Sequence, residues 1–462
     1  MSDSAADQPR PPGPALPLTS SPHHAITTSR FDPRLSPPLY LTARVPPLGG
    51  WIKERPEDFL VDEQPAYQPC GEGEHLYLFV EKRGLATLSA ARTLARHFGV
   101  PPRDIGYAGL KDKQAITRQV FSVHIPGKRL EDFPSLIHER LSILWADYHG
   151  NKLRPGHLKG NRFSIRIRGV SFRAALEAKR ALEMLERQGV PNRFGEQRFG
   201  YRLNNHVVGR AILLDDAPAA LDALLAPAPD VPDKQQGARE LYARGDYAGA
   251  LAAFSSEAST ERRILGALAR GAPPRRAIRA IDPGERDFYL TAFQSAVFNA
   301  VLDGRLREGA LGQLREGDLA LKHDNGAVFE VGPADPGPEL DARLARFEIS
   351  PSGPLWGAQM KRAAARTGEA ELAALREAGL TPEQIEQAPV RLTGARRPLR
   401  VPLTFPEVEG GVDEHGPYVR VAFDLPRGAF ATTVIRELIK PEPGGRGHSL
   451  TRAAEPESTE ED

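Results

Sequence analysis

An α+β fold, with helices packed on a mixed or antiparallel sheet, is predicted by three features of the sequence. Segments such as "HLYLFVEKRG", "QVFSVHI" and "NRFSIRIRG" alternate apolar and polar side chains with the period of two that a half-buried strand shows. Beside them run segments with apolar residues three and four apart, the spacing of a helix that buries one face. From about residue 194 to 395 the chain changes character, becoming Ala-rich and helical with Pro-rich punctuation such as "APAPDVPDK".

Residues 1 to about 40 are rich in Pro and Ser, and the end, from 441 to 462, is polar and finally acidic. Neither stretch can bury enough apolar surface to offset its chain entropy, which predicts two disordered tails. After the strand "HLYLFVEKRG", the segment "TLSAARTLARHFGVP" repeats Leu88, Ala91, Leu94, Ala95 and Phe98 at helical spacing, with Thr87 as its cap and Gly99 and Pro101 as its stop. A glycine-bearing connection, "GYAGLKDKQAITRQ" from Gly106 to Gln119, leads into the strand "QVFSVHI". In "NRFSIRIRG", Phe163, Ile165 and Ile167 share one face while Arg162, Ser164, Arg166 and Arg168 share the other, so a packed rear and a cationic front are expected. The helix "SFRAALEAKRALEMLERQG" follows and stops at Gly189 and Pro191. In the middle, "LYARGDYAGALAAF" reads as a helix pair, and "RDFYLTAFQSAVFNAVLDGRL", with Phe293, Val297 and Val301 four apart, as an amphipathic helix. Near the end, "YVRVAFDLPRGAFATTVIRELIK" reads as a strand, a Pro/Gly turn and a short helix.

A chain of 462 residues exceeds one ordinary domain of roughly 100 to 200 residues. No apolar run approaches the roughly 20 residues of a membrane span, and the start lacks the plan of a signal peptide, so a cytoplasmic protein without membrane attachment is expected. A single cysteine, Cys70, excludes an internal disulfide framework and a cysteine-based zinc cluster. Lys plus Arg at 61 nearly balance Asp plus Glu at 60, yet residues 151–210 hold fourteen Lys or Arg against four Glu. So basic a block in a nearly neutral chain suits either a phosphate-tracking face or a well-solvated surface.

No G-x-x-x-x-G-K-[ST] loop, no strand followed by G-x-G-x-x-G, no H-E-x-x-H pair and no G-x-S-x-G elbow occurs, so neither nucleotide cofactor nor metal is indicated. What remains is Asp112, a lone carboxylate between Lys111 and Lys113 on a connection just before a strand. Alone it reads as a solvated turn; on a loop carried by rigid elements it is also where a catalytic group would stand. Aromatic residues lie beside turns at Phe59, Phe163 and Phe430; each suits a core position, and together with Asn161 as an edge donor they suit a pocket for an extruded base.

The stretch "GYAGLKDKQAITRQ" closely resembles the signature of the TruD family of pseudouridine synthases. The similarity extends in the family's order to "PEDFLVDE", "GEGEHLYL", "LRPGHLKGNRFSI", "GVPNRFGEQRFG", "LTAFQSAVFN" and "LPRGAFATTVIRELI". The resemblance implies a pseudouridine-synthase catalytic domain, with mixed or antiparallel sheet and flanking helices, interrupted by an α/β insertion (TRUD) domain. Its first part would span 41–193, the insertion 194–395 and its second part 396–440. It further implies an isomerase that turns a uridine of RNA, typically position 13 of transfer RNA, into pseudouridine. No cofactor or metal is implied, and a monomer is the expected state. By the family pattern Asp112 is the nucleophile, Phe59, Asn161 and Phe430 line the substrate site, and Phe163 stacks near the target base. The departure lies in residues 221–285, Ala/Pro-rich and longer than the pattern leads one to expect.

Such chemistry breaks the N1–C1′ bond, turns the uracil and joins its C5 to C1′ with no net oxidation and no water consumed. An ionised Asp112 would attack C1′, or abstract a proton to give a glycal-type intermediate. At most one of Lys111 and Lys113 would stand near the carboxylate if the segment is extended. Lys159, Arg162, Arg166, Arg168 and Arg198 would position the RNA backbone without reading its sequence. Two other classes share these residues: an RNA-binding protein that kept the scaffold and lost activity, and a carboxylate-dependent N-glycosidase that would release free uracil.

Overall fold

The computed structural model describes residues 39–228, 233–333, 337–441 and 450–451; the two expected tails lie almost wholly outside them. The chain opens with β1 (Phe59–Pro65), β2 (His75–Arg83), α1 (Thr87–His97), β3 (Ile105–Tyr107), β4 (Ile116–His124), β5 (Leu141–His149), β6 (Leu158–Arg168), α2 (Ala175–Gln188) and β7 (Val190–Pro191). A helical stretch follows: α3 (Asn205–Leu213), α4 (Ala217–Leu225), α5 (Gln236–Ala243), α6 (Tyr247–Ala253), α7 (Ser259–Ala269), α8 (Pro274–Ala277) and the long α9 (Pro283–Arg307). Next come β8 (Leu319–Lys322), β9 (Val328–Glu330), α10 (Pro338–Ala345), β10 (Ile349–Leu355), α11 (Ala365–Glu377), α12 (Pro382–Glu386) and β11 (Ala395–Pro398). The chain then returns through β12 (Arg400–Val401), β13 (Thr404–Asp413), β14 (Gly416–Pro426) and α13 (Ala431–Ile439).

Eight strands make the main sheet in the order β13-β14-β6-β1-β4-β2-β5, with β3 added to β4. It is mixed: β1 runs parallel to β4, and the other pairings are antiparallel. Alternation along β6 works as the sequence predicts. Phe163, Ile165 and Ile167 point into a core shared with Leu182 and Leu185 of α2 and Ile435 and Leu438 of α13. Each such fully buried side chain contributes roughly 1.5–3 kcal/mol, and that is what holds the two helices to the sheet. Under the other half of the sheet, Leu76, Leu78 and Val80 of β2 pack on Ala91 and Leu94 of α1.

Helices α4 to α8 account for most of residues 221–285 and close around a core of their own, including Leu221, Tyr242, Phe254 and Leu265. The expected helix pair is α5 and α6, joined at Gly245, whose φ of +79° is a conformation glycine adopts freely. The expected amphipathic helix, α9, is instead buried on several sides. Gln294, Ser295 and Arg305 are enclosed along with Phe293, Val297 and Val301, because this helix packs between α3, α11 and the second sheet. That sheet has the order β11-β10-β8-β9. A break expected at residue 396 falls inside β11, which pairs with β10; β12 pairs with β7, so the chain crosses back at Leu399.

The two halves of the main sheet are tied by a buried charge. Arg168, at the end of β6, donates to Asp58 Oδ1 at 2.6 and 3.0 Å and to both oxygens of Asp413 at 2.6 and 2.8 Å. Its guanidinium holds the Asp413 carboxyl far below the usual carboxylate range. Replacing Arg168 with Met leaves Asp58, 1% exposed, as an uncompensated buried charge. The expected loss is about 3–5 kcal/mol of stability, read from urea unfolding; a loss of under about 1 kcal/mol would show that the pair is dispensable.

Candidate active site

Asp112 lies between β3 and β4, where residues 108–115 belong to no strand or helix. Side chains hold this connection in place of a ladder. The Thr87 hydroxyl accepts from the Lys111 backbone N–H at 2.9 Å and pairs with Gln119 Oε1 at 3.0 Å, while Gln119 Nε2 donates to the Gly109 carbonyl at 3.2 Å. Thr87 thus does not cap α1, whose N-cap is Ala86; its hydroxyl serves the loop instead. Lys82, fully buried, donates to the backbone carbonyls of Asp112 at 2.9 Å and Leu85 at 2.7 Å. Gly106 is required by close approach, since a Cβ there would stand 2.3 Å from the Leu153 carbonyl oxygen.

The cation beside the carboxylate is neither Lys111 nor Lys113 but Lys53, whose Nζ lies 2.7 Å from Asp112 Oδ2. Its side chain is 8% exposed and that of Asp112 48%, so the ammonium closes the inner side of the pair while the carboxylate faces out. Lys53 stands at φ +59°, a left-handed conformation uncommon for a side-chain-bearing residue. Two contacts secure it: Trp51, two residues earlier, exchanges backbone hydrogen bonds with Arg168 at 3.0 and 2.8 Å, and the Lys53 ammonium sits 4.4 Å from the centroid of the Phe59 ring. Lys111 turns away from Asp112, to Glu63 Oε2 and Asn161 Oδ1, each at 2.7 Å.

Among the expected pocket residues, Asn161 therefore joins the loop directly. Phe59 supports Lys53 from below and packs edge-on against Phe163 at 6.3 Å, and both rings are buried in the sheet core. Phe430, at the N-cap of α13, is 44% exposed and is the open aromatic of the three. It lines a cleft of about 510 Å³ between the main sheet and α9, together with Lys53, Phe194, Arg198 and Phe288. Arg198 lies 5.1 Å from the Phe288 centroid and 5.6 Å from that of Phe194, and burial lowers its pKa. The cleft wall is built by the stretch "PNRFGEQRFG": Phe194 exchanges two 3.0 Å hydrogen bonds with the Asn299 amide, Arg193 pairs with Asp303, and Glu196 pairs with Arg436 at 2.6 Å.

The cationic front expected of β6 requires correction. Arg162, Arg166 and Arg168 alternate with Asn161 and Phe163 and so point to the opposite face of the sheet. There Arg162 pairs with Asp424 at 2.8 Å and Glu407 at 2.6 Å, and Arg166 with Asp413 at 3.4 Å. Arg168 is enclosed by Asp58 and Asp413. Carboxylates from β13 and β14, remote in sequence, consume this charge. Lys159 is exposed at the start of β6, and Arg198 is in the cleft.

The site thus joins a carboxylate on a side-chain-held loop to a fixed cation, Lys53, that also lines an aromatic cleft. The chain belongs to the TruD family of pseudouridine synthases: the family model described as tRNA pseudouridine synthase D (TruD) matches residues 38–438. A Geobacter sulfurreducens protein named tRNA pseudouridine synthase D is 47% identical over 405 residues, 87% of this chain and 96% of that protein. One of the same name from Geobacter metallireducens is 44% identical over 410 residues, 88% and 98% of the two chains. A crystal structure titled as the putative tRNA pseudouridine synthase D of Methanosarcina mazei superposes with a TM-score of 0.76 at 27% identity, covering 88% of this chain and 96% of that one.

Two outcomes follow from this geometry. Lys53→Met frees the carboxylate to rotate, and a misplacement of about 1 Å is expected to lower single-turnover rate by about 100-fold with RNA affinity little changed. Burial holds the Lys82 ammonium down at about 8 against an ordinary 10.5. Between those values the unfolded chain keeps a proton that the folded chain has lost, so Lys82 makes stability rise with pH across that window and leaves it flat below. Relative to Lys82→Met, the native protein should gain stability from about pH 8 to 10, checked by urea midpoints for both; a constant difference would exclude this proton from the balance.

Proposed function

We propose that this chain converts uridine 13 of transfer RNA to pseudouridine with Asp112 as the nucleophile, the finer form of the activity to which its family and its relatives' names point. The observation that supports this most directly is the Asp112 carboxylate itself, half exposed and fixed by Lys53 at 2.7 Å beside the aromatic cleft. In the proposed reaction Asp112 attacks C1′ as the N1–C1′ bond breaks, or takes a ribose proton to give a glycal. The uracil turns and C5 bonds to C1′ as the Asp112–C1′ bond breaks, or, in the glycal route, as Asp112 returns the ribose proton; the C5 hydrogen leaves to solvent as a proton and N1 gains one, so atoms and electrons balance within the nucleotide. Dividing the substitution in this way replaces one hard step with easier ones.

Drawing the uridine from its stack costs a few kcal/mol, which ring stacking offsets at roughly 1–3 kcal/mol per base. Phe430 has the exposed face for such stacking, and the 7% exposure of Phe163 suits it to bordering the base by its edge. Lys159 and Arg198 are the expected phosphate contacts that remain on open or cleft-lining surface. Substituting Arg198 with Ala should weaken RNA binding and reduce the slope of log K against log salt by about one unit; an unchanged slope would place phosphate elsewhere.

Tritium release from transfer RNA labelled at uridine C5 tests the chemistry, because joining C5 to C1′ expels that hydrogen. Release by the native protein and none by Asp112→Asn, with RNA still bound, is the expected result, and mapping the product then tests position 13. Free uracil would indicate a glycosidase, and binding without release a scaffold that has lost activity.

A further inference from the structure

Lys111 and Glu63 form a buried pair that Asp112 does not use. The Glu63 side chain is fully enclosed and that of Lys111 is 6% exposed, with Nζ and Oε2 2.7 Å apart. Glu63 stands directly opposite Asn161 in the β1–β6 ladder, and its other oxygen accepts from the Val120 backbone N–H of β4 at 3.2 Å. Three strands and the catalytic loop therefore converge on one ammonium. Exchanging a buried ion pair for apolar side chains of similar volume is often neutral or stabilising, so stability alone does not account for this arrangement.

The chemistry of the contact fixes what Asn161 can do. An ammonium carries donors and no acceptor, so the atom of the Asn161 amide facing Lys111 Nζ at 2.7 Å must be its oxygen. The NH₂ group must then face the other way. We propose that Lys111, backed by Glu63, is a positioning residue that locks the Asn161 amide as a hydrogen-bond donor toward the target base. The lock selects a ring that offers a carbonyl at that edge. Uracil offers O4 where cytosine carries an amino group, and an amino group would meet donor with donor. This inference rests on the base-binding role proposed above for Asn161.

The test compares binding of a transfer RNA transcript carrying its modified uridine with the same transcript carrying cytidine there, to native protein, Lys111→Met, Asn161→Ala and the double variant. Native protein should prefer uridine by about tenfold, the scale of a hydrogen bond left unmade. Lys111→Met, whose amide is free to turn over, should bring the ratio close to one. So should Asn161→Ala, and the double variant should match Asn161→Ala because the two residues act as one unit. A native preference that Lys111→Met retains, or losses that add in the double variant, would overturn the proposal. So would a native protein that does not distinguish the two transcripts. Where Lys111→Met fails to fold, Lys111→Met with Glu63→Leu removes both charges and is read in the same way. Tritium release by the native protein is measured beside these variants; its absence would count against the synthase reading, separately from the base preference.

Discussion

The connection that carries Asp112 has no backbone ladder of its own, and every other feature of the site answers that constraint. A loop outside the ladder must satisfy its backbone groups through side chains, water or isolated backbone contacts such as Gly156 N–H to the Ala108 carbonyl at 2.7 Å. Here the holders come from α1 through Thr87, from β4 through Gln119 and from β2 through Lys82. Each belongs to an element fixed independently by apolar packing, so the precision of the core passes to the carboxylate through a few polar contacts. The last link is Lys53, reached from Arg168 through the Trp51 backbone pair. The buried cation that joins the halves of the sheet therefore also sets the origin of the segment that places Lys53 against Asp112.

The sheet's alternation and the loop bearing Asp112 could be read from sequence because both depend on local patterns. The partners of Asp112 could not, since Lys53 reaches it from fifty-nine residues upstream, a pairing set by strand order. Yet a signal was present for others. In β2 the inward register runs Leu76, Leu78, Val80 and then Lys82, and in β1 it runs Phe59, Val61 and then Glu63. A charged residue in core register must find a partner or lose its charge, which makes it a stronger pointer to a site than an exposed run of the same charge. Thr87 shows the converse. It occupies the sequence position of a helix cap, but its hydroxyl is drawn to the loop, and tertiary contact overrides local propensity.

The basic block between residues 151 and 210 shows why charge counted along a chain is a poor map of charge on a surface. Its members on β6 alternate with residues of the site and so were bound to lie on the sheet's other face. Three acidic residues of β13 and β14, Glu407, Asp413 and Asp424, more than two hundred positions away, then neutralise them. The cross-strand pairs this creates, such as Arg162 with Asp424, register β14 against β6. In this part of the molecule the arginines of β6 serve the assembly of a sheet from two remote stretches of chain.

The cleft lies along the seam where the segment leaving the main sheet meets α9 and α13. Arg193, Phe194, Glu196 and Arg198 come from the segment leaving the main sheet, Phe288 and Asn299 from α9, Phe430 from the N-cap of α13 and Arg436 from its last turn. Two of these arginines are already paired across the seam, Arg193 to Asp303 and Arg436 to Glu196. The seam thus uses charge for its own cohesion, while Arg198 stands between two aromatic rings with no acidic partner among the described ion pairs. Helix α9, enclosed on several sides, fixes Phe288 and Asn299 in one wall of the cleft, while Lys53, the partner of Asp112, lies in its lining. The two sides of the seam are joined by the β7–β12 pairing and the Phe194–Asn299 amide pair, so a change there would move one wall of the cleft relative to Asp112 without touching the carboxylate.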